Sequence, residues 1–242
     1  MSGEILMTDT GNQKRHSMKK SSLTIEYSDK PLTDFPEKLI NHLAERFQLK
    51  GRMIDIMCGR GEHAQAFYKL GLDAWGSDID PAAAQVLEKR DERLVLCNVN
   101  NEALPFKDNS FDVVFCKSAI EHTHPDHLIP EIYRILKPGG KVVILTLDWY
   151  YTYRMYYIDH THAYGCPWMK HSLMLILKTY EFRDVIVENF YYLPFTWESW
   201  WGKILCTLIR MFPYPYNDNF TNPIWKIIRF SNEVQILGVG TK

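Results

Sequence analysis

The chain has 242 residues, enough for one sizeable hydrophobic core, and its 28 Lys and Arg nearly balance its 29 Asp and Glu. This balance argues against a basic nucleic-acid-binding protein. The five cysteines are scattered without a C-x-x-C pair, which argues against disulfides and zinc, and no apolar stretch approaches the ~18 residues of a membrane span. We therefore expect a soluble, cytoplasmic protein.

The first 30 residues are polar and are typical of a solvated tail. We expect residues 31–242 to fold as a single domain. From Pro36 to Phe47, apolar residues recur at helical spacing, and Gly51 ends the segment. This pattern predicts a helix that leads into the first strand.

Strand-like and helix-like stretches alternate from residue 52 to residue 147. The predicted strands are Arg52 to Met57, Ala74 to Asp78, Leu94 to Cys97, Phe111 to Cys116 and Lys141 to Leu147. The predicted helices are Glu62 to Leu70, Ala82 to Asp91 and one ending near Leu136, after which Pro138-Gly139-Gly140 breaks the chain. This alternation predicts right-handed βαβ units and a parallel sheet.

The second half of the chain differs in composition, because six of the seven tryptophans follow position 148. Its predicted elements are a helix near Lys170 to Tyr180, a strand near Val185 to Tyr192 and a final strand near Val234 to Val239. We expect aromatic-rich insertions at about 148–168 and 194–230 to form a cap over the substrate.

A glycine turn, Gly59-Arg60-Gly61, follows the first predicted strand and opens a helix, so backbone N–H groups can approach a ligand closely. Asp78 stands about 20 residues further on, at the end of the next strand, where a carboxylate can accept hydrogen bonds from ribose hydroxyls. The pair predicts an adenosine-containing ligand. The alternative is a tight turn with a helix-capping aspartate.

Five ordered stretches between Gly51 and Leu147 resemble the class I S-adenosylmethionine-dependent methyltransferase family. They are residues 53–61 (MIDIMCGRG), 76–81 (GSDIDP), 103–106 (ALPF), 109–114 (NSFDVV) and 136–140 (LKPGG). The resemblance implies an α/β fold, a Rossmann-like three-layer sandwich with a seven-stranded mixed sheet whose last strand is antiparallel. It also implies S-adenosyl-L-methionine as the cofactor.

The resemblance carries roles over to individual residues. Asp55 is implied to seat the methionine part of the cofactor, Gly59 and Gly61 to line it, and Asp78 to hold its ribose. The family often has an aspartate that meets the adenine amino group; here the candidates are Asn98 and Asn100, whose amide oxygens can accept the same hydrogen bond. Met57 replaces the family's usual first glycine.

Methyl transfer to a hydroxyl benefits from a general base, and histidine suits this role near neutral pH. The candidates are His160, then His162, then His122, in two histidine-rich runs. The alternatives are that these histidines cap helices and bind backbone carbonyls, or that Asp159 joins them in a metal site. We predict no metal.

Trp149, the run from Asp159 to His162 and the run from Ile227 to Ser231 show a looser resemblance to methyltransferases found with bacterial surface-glycan biosynthesis. This resemblance implies a sugar or sugar-linked acceptor, and we expect methylation at oxygen. Aromatic faces suit pyranose rings. Polyketides, small phenols and lipids remain open as acceptors.

An apolar stripe at helical spacing follows the predicted strand near Val185 to Tyr192. Its members are Trp197, Trp200, Trp201, Ile204, Leu205, Leu208, Met211 and Phe212. We expect the stripe to pack on the sheet or to form a dimer face, and Pro213-Tyr214-Pro215-Tyr216 to end the helix. The alternative is a peripheral membrane contact through Trp197, Trp200 and Trp201.

Two other classes of function fit part of this pattern. A nicotinamide-dependent oxidoreductase shares the glycine turn and the second-strand acid, but Asp55 and the Leu104-Pro105-Phe106 segment argue against it. A non-catalytic protein that keeps the cofactor fold and binds a membrane or partner is the other alternative. The intact glycines and acids favour the methyltransferase.

Overall fold

The structure, a computed structural model, describes residues 31–153, 166–212 and 222–242. Its centre is a seven-stranded sheet in the order β3-β2-β1-β4-β5-β7-β6. The strands are β1 (Arg52–Ile56), β2 (Asp73–Asp78), β3 (Leu94–Leu96), β4 (Phe111–Lys117), β5 (Leu136–Leu147), β6 (Arg183–Tyr191) and β7 (Val234–Thr241). β1 to β5 pair in parallel, whereas β7 runs antiparallel to both β5 and β6. The predicted mixed sheet with an antiparallel last strand is confirmed.

Helices cover both faces of this sheet. They are α1 (Phe35–Phe47), α2 (Glu62–Lys69), α3 (Arg90–Arg93), α4 (Pro125–Ile135), α5 (Trp149–Thr152), α6 (Lys170–Thr179), α7 (Phe195–Glu198), α8 (Trp200–Arg210) and α9 (Pro223–Asn232). In the part of the chain that the structure describes, no helix is long and apolar enough to cross a membrane.

The strand pleat divides the apolar side chains between two cores. Ile54, Val114 and Ile144 point to the face covered by α4 and α6, while Met53, Phe115 and Val143 point to the face covered by α1 and α2. Alternate residues of a strand face opposite sides, so a strand buried on both faces reads as a continuous apolar run. This three-layer arrangement leaves the carboxyl ends of β1, β2 and β4 at one edge, where open α/β sheets bind ligands.

The helix predicted from Ala82 to Asp91 does not form, and only Arg90–Arg93 is helical. Ala84 and Lys89 adopt left-handed backbone conformations, with φ of 56° in each. The Ala84 N–H donates to the Gly59 carbonyl at 2.7 Å, and the Val86 N–H donates to the Arg60 carbonyl at 3.1 Å. These two N–H groups form hydrogen bonds with the glycine turn and not with carbonyls of a helix, although the apolar residues of the segment have helical spacing.

The break predicted at Pro138-Gly139-Gly140 is an irregularity inside one strand, because β5 runs continuously from Leu136 to Leu147. The register between β4 and β5 shifts between Phe111 and Val113. Gly139 has a φ of 80° and donates its N–H to the Lys242 carbonyl at 2.8 Å. The end of the chain therefore satisfies backbone groups that the irregular stretch leaves unpaired.

Candidate functional site

The glycine turn after β1 is tied to the end of β2 by one carboxylate. The Gly59 N–H donates to Asp78 Oδ2 at 2.9 Å, and the Asp80 N–H donates to Asp78 Oδ1 at 3.0 Å. Below them, the Cys58 N–H donates to the Ser77 carbonyl at 2.9 Å. Asp78 therefore holds the glycine turn in place. Each of its carboxylate oxygens can still accept a further hydrogen bond.

Three residues of this turn have left-handed backbone conformations, with φ of 56° at Met57, 52° at Gly59 and 83° at Gly61. Met57 thus adopts the conformation for which glycine is favoured, at a cost of about 1 kcal/mol. A Cβ at Gly59 would meet no atom within 4 Å, whereas one at Gly61 would lie 2.9 Å from Ala84 Cα. The space beside Gly59 is open, and Gly61 lets the turn pack on the segment around Ala84.

Asp55, near the end of β1, is almost completely buried, at 3% exposure. Its carboxylate accepts a hydrogen bond from the Ala64 backbone N–H, within the first turn of α2. Within the described residues its Oδ2 has no hydrogen-bond partner. Burial raises the pKa of Asp55 to about 8, with the Asp78 charge adding to the effect and Lys117 opposing it.

These features fit S-adenosylmethionine. Asp55 Oδ2 is unpaired and suited to a cationic amino group, whose charge would favour the ionised carboxylate over the protonated form that burial favours in the free protein. The open space at Gly59 allows a ligand to approach the backbone. Both carboxylate oxygens of Asp78 accept backbone N–H groups, and its contact with ribose stays a prediction. A buried carboxylate with an unused oxygen is costly unless a ligand completes its hydrogen bonds.

The two asparagine candidates for adenine occupy the loop after β3. Asn98 Oδ1 accepts from the Asn100 N–H at 3.2 Å. The Asn100 amide bridges to the loop after β4, because its Nδ2 donates to the His122 carbonyl at 3.2 Å and its Oδ1 accepts from the His124 N–H at 3.0 Å. Asn100 therefore joins two loops at the carboxyl edge of the sheet, and contact of either residue with adenine stays a prediction.

A polar pair that the sequence analysis missed lies at the end of β4. Lys117 Nζ donates to the Tyr192 hydroxyl at 2.9 Å. The Tyr192 ring stacks on Phe35, with centroids 4.6 Å apart, and on Phe230, with centroids 5.3 Å apart. The available signal was a charged residue ending the apolar strand Phe111–Lys117, but no spacing rule connects it to Tyr192.

Lys117 is the central charge of this part of the site. Burial favours its neutral form, but Tyr192, Glu121 and Glu233 outweigh this effect and raise the pKa of Lys117. Burial, and then the charge of Lys117, lower the pKa of His63 well below its usual value. Lys117 is therefore a cation and His63 a neutral imidazole at physiological pH.

Of the three histidines predicted as bases, the structure describes only His122. It lies half-buried in the 3₁₀ turn Ile120–His122 that follows β4. His160 and His162, together with Asp159, lie outside the described residues. Among the residues that the structure describes, no group of three or more His, Cys, Asp or Glu side chains is arranged to hold a metal ion.

Of the two placements predicted for the apolar stripe, packing on the sheet is wrong for most of its members, and a dimer face stays a prediction. Trp197 alone turns inward, where its Nε1 donates to the Tyr191 carbonyl at 2.8 Å and its ring packs beside His42 and Phe190. Trp197 therefore does not belong to an outward-facing surface. The other members, Trp200, Trp201, Ile204, Leu205, Leu208, Met211 and Phe212, are exposed.

Comparisons with known proteins agree with this geometry. Residues 54–144 match the family described as "Methyltransferase domain". The ubiquinone/menaquinone biosynthesis C-methyltransferase UbiE of Burkholderia mallei is 36% identical over 105 residues, which cover 39% of this chain and 42% of UbiE. The chain spans less than half the length of the curated relatives that it matches, with 46% of one relative and 42% of UbiE covered.

Two solved structures extend the likeness beyond the matched segment. A SAM-dependent methyltransferase from Archaeoglobus fulgidus has a TM-score of 0.60 at 20% identity, covering 92% of this chain and 100% of that one. Phosphoethanolamine N-methyltransferase 2 of Haemonchus contortus, in complex with phosphomonomethylethanolamine and S-adenosylhomocysteine, has a TM-score of 0.55 at 24% identity, covering 84% and 52%. At these identities the likeness establishes the fold.

The fold is thus that of the class I, Rossmann-like methyltransferases. The segment that matches the family, residues 54–144, contains Asp55, the Gly59 turn and Asp78.

Proposed function

We propose that the protein transfers the methyl group of S-adenosylmethionine to a small acceptor bound beyond the carboxyl end of β4. The observation that carries this proposal is the pair of carboxylates around the open Gly59 turn. Asp78 holds the turn through the Gly59 N–H, and Asp55 presents an unpaired buried oxygen. We assign Asp55, Gly59 and Asp78 to the cofactor, with Gly61 shaping the turn.

Calorimetric titration of S-adenosylmethionine, S-adenosylhomocysteine and NAD tests the cofactor site. We expect both sulfur ligands to bind wild type and Asp78→Ala to weaken them about 100-fold, because charge-assisted hydrogen bonds contribute about 1.5–3 kcal/mol each. Asp91→Ala is the matched control, since Asp91 is an exposed carboxylate that pairs with its neighbour Arg90. Thermal melting confirms that each variant is folded. Binding of NAD alone would overturn the proposal.

For the acceptor we propose a sugar-linked or other small-molecule hydroxyl, methylated at oxygen. The stacked rings of Phe35, Tyr192 and Phe230 offer the kind of aromatic surface on which a sugar packs. Lys117 adds a cation able to donate hydrogen bonds to acceptor oxygens. Transfer of a labelled methyl group to a panel of sugars and phenols tests this proposal, and product NMR distinguishes O-methyl from C-methyl, the type that the name of UbiE specifies.

When bound, the cofactor supplies an electrophilic methyl group, so the protein's task is to orient the acceptor and receive its proton. In the balanced reaction, the acceptor oxygen bonds to the methyl carbon, the carbon–sulfur bond breaks with its electrons remaining on sulfur, and the hydroxyl proton leaves. We propose that the Tyr192 oxygen, in its deprotonated form, receives this proton, because it lies at the carboxyl end of β4 within 2.9 Å of Lys117 Nζ. His160, His162 and His122 remain the alternatives predicted from sequence.

Phenylalanine and alanine substitutions separate these candidates. If Tyr192 is the base, Tyr192→Phe lowers kcat by about 100-fold with little change in KM, since general-base catalysis contributes roughly 10²–10⁴. His122→Ala, His160→Ala and His162→Ala then retain the wild-type kcat. Loss of kcat in one histidine variant, with Tyr192→Phe active, would assign the role to that histidine.

A further inference from the structure

Helix α8 exposes a broad apolar surface, which the residues that the structure describes leave uncovered. The exposed fractions are 74% for Trp200, 62% for Trp201 and 51% for Leu208, and just beyond the helix they are 76% for Met211 and 73% for Phe212. Positions 200, 201, 204, 205 and 208 share one face of a helix. Large apolar side chains clustered at such exposure mark an interaction site.

The opposite face of α8 is the one that packs on the protein. It presents Gly202 and Cys206, both buried, and Cys206 joins a core cluster with Tyr191 and Val234. A Cβ at Gly202 would lie 3.0 Å from the Phe195 ring, so the helix is already closely packed there. The outward apolar residues therefore add nothing to the core.

Helix α9 packs against α8 and extends the exposed apolar area through Ile224 and Ile227. The Ser231 hydroxyl contacts Cys206 Sγ at 3.4 Å, and Arg210 Nη1 donates to the Ser231 carbonyl at 3.3 Å. We call the exposed apolar residues of both helices and of the turn after α8 the tryptophan surface. Its members are Trp200, Trp201, Ile204, Leu205, Leu208, Met211, Phe212, Ile224 and Ile227.

The charges of these two helices all have one sign. The sequences of α8 and α9 contain four basic residues and no Asp or Glu. Arg210 turns inward onto Tyr151 and Tyr191, and Arg229 pairs with Glu233. The exposed Lys203 and Lys226 remain beside the tryptophan surface. An apolar surface flanked by lysines complements a layer with an apolar interior and anionic head groups.

A second copy of the chain fits this surface less well. In a two-fold dimer the same patch faces itself, so the lysines of both copies would approach one another. Neither helix supplies a carboxylate to neutralise them, and Glu188 of β6, which feels the charge of Lys203, is already paired with Arg46. Tryptophan, in contrast, is enriched at membrane interfaces, where its ring enters the apolar layer and its N–H stays hydrated.

We propose that the tryptophan surface docks the protein peripherally on an anionic lipid bilayer. Helix α8 has 11 residues, so it lies in the interface rather than crossing the bilayer. The exposed indoles and aliphatic side chains enter the outer part of the acyl layer, while Lys203 and Lys226 contact lipid phosphates. This docking requires neither cofactor nor acceptor, so it is tested separately from the proposed methyl transfer.

Vesicle sedimentation with the full chain tests the apolar part of the proposal. We expect the protein to pellet with vesicles of phosphatidylcholine and phosphatidylglycerol. Leu208→Asp should weaken this binding at least about tenfold, because it puts a charge in place of an apolar side chain that enters the acyl layer. Leu175→Asp on α6 is the matched control, since Leu175 is exposed to a similar degree, 57%, on a different helix. Equal loss of binding in both variants would overturn the proposal.

The charge requirement is tested by lipid composition and by a second matched pair. Vesicles of phosphatidylcholine alone should bind more weakly, and Lys226→Glu should weaken binding to anionic vesicles while Lys178→Glu, an exposed lysine on α6, leaves it unchanged. Failure to bind either vesicle, or binding unaffected by Leu208→Asp, would overturn the proposal. A dimer in light scattering that Leu208→Asp dissociates, without vesicle binding, would assign the surface to a second copy.

Discussion

Two regions of the molecule differ in which side chains they bury. One is the sheet edge formed by the carboxyl ends of β1, β2 and β4, and the other is the helix pair α8 and α9. At the sheet edge, polar groups such as Asp55 are buried around an opening, while the apolar strand residues fill two cores. On α8, large apolar residues face outward and small ones face the core. Both regions hold groups in environments that cost free energy in the isolated chain, which is typical of surfaces completed by a ligand or partner.

The largest expected difference between these regions is in core packing. Ile144→Ala, on β5, should lower the free energy of unfolding by about 2–5 kcal/mol, because it leaves a cavity in a fully buried core. Ile204→Ala, on α8, should change it by less than about 0.5 kcal/mol, since Ile204 is exposed. Urea unfolding followed by circular dichroism measures both. A large loss at Ile204 would show that the tryptophan surface supports the fold.

The second difference is in the dependence of stability on pH. Burial raises the pKa of Asp55 to about 8, so the folded chain retains a proton that the unfolded chain releases above about pH 4. The wild-type protein therefore loses stability as pH rises through this window, and Asp55→Asn does not share that loss. Between pH 5 and pH 7.5 we expect the variant to gain about 2–3 kcal/mol relative to wild type.

Urea unfolding at several pH values measures the Asp55 effect, without added cofactor. The wild-type and Asp55→Asn unfolding free energies should be close at pH 5 and separate as pH rises. Parallel curves for the two proteins would contradict a buried, protonated Asp55. The same variant should also bind S-adenosylmethionine more weakly, because an amide cannot supply the carboxylate charge.

Apart from the near-zero change at Ile204, the smallest effect should occur at the end of α6, outside both regions. Glu181 has a φ of 64° just after this helix, and the Phe182 N–H donates to the Leu177 carbonyl at 3.1 Å. Glycine adopts this conformation without strain, so Glu181→Gly should raise the unfolding free energy by about 0.5–1 kcal/mol. Glu181→Ala serves as the control because it keeps the strain. An equal gain in both variants would mean that the charge matters rather than the backbone.

Local sequence rules succeeded where the structure depends on neighbours in the chain. The strands of the first half and the helix α1 lie close to their predicted positions, since strand alternation and helical periodicity are local properties. The same rules failed from Ala82 to Asp91, where the Ala84 N–H donates to the Gly59 carbonyl instead of to a carbonyl within a helix. A contact between segments so far apart in sequence overrides helical spacing.

The sequence by itself determined the class of the fold and the cofactor turn, because glycines, the second-strand acid and the order of strands are written in short motifs. Only the tertiary structure decided which side chains meet and which face outward. Lys117 and Tyr192 are 75 positions apart and are joined by the sheet. The apolar residues of α8 would have the same spacing in the sequence whether the helix buried or exposed them. They face outward because Gly202 and Cys206 let the opposite face of α8 pack closely on the protein.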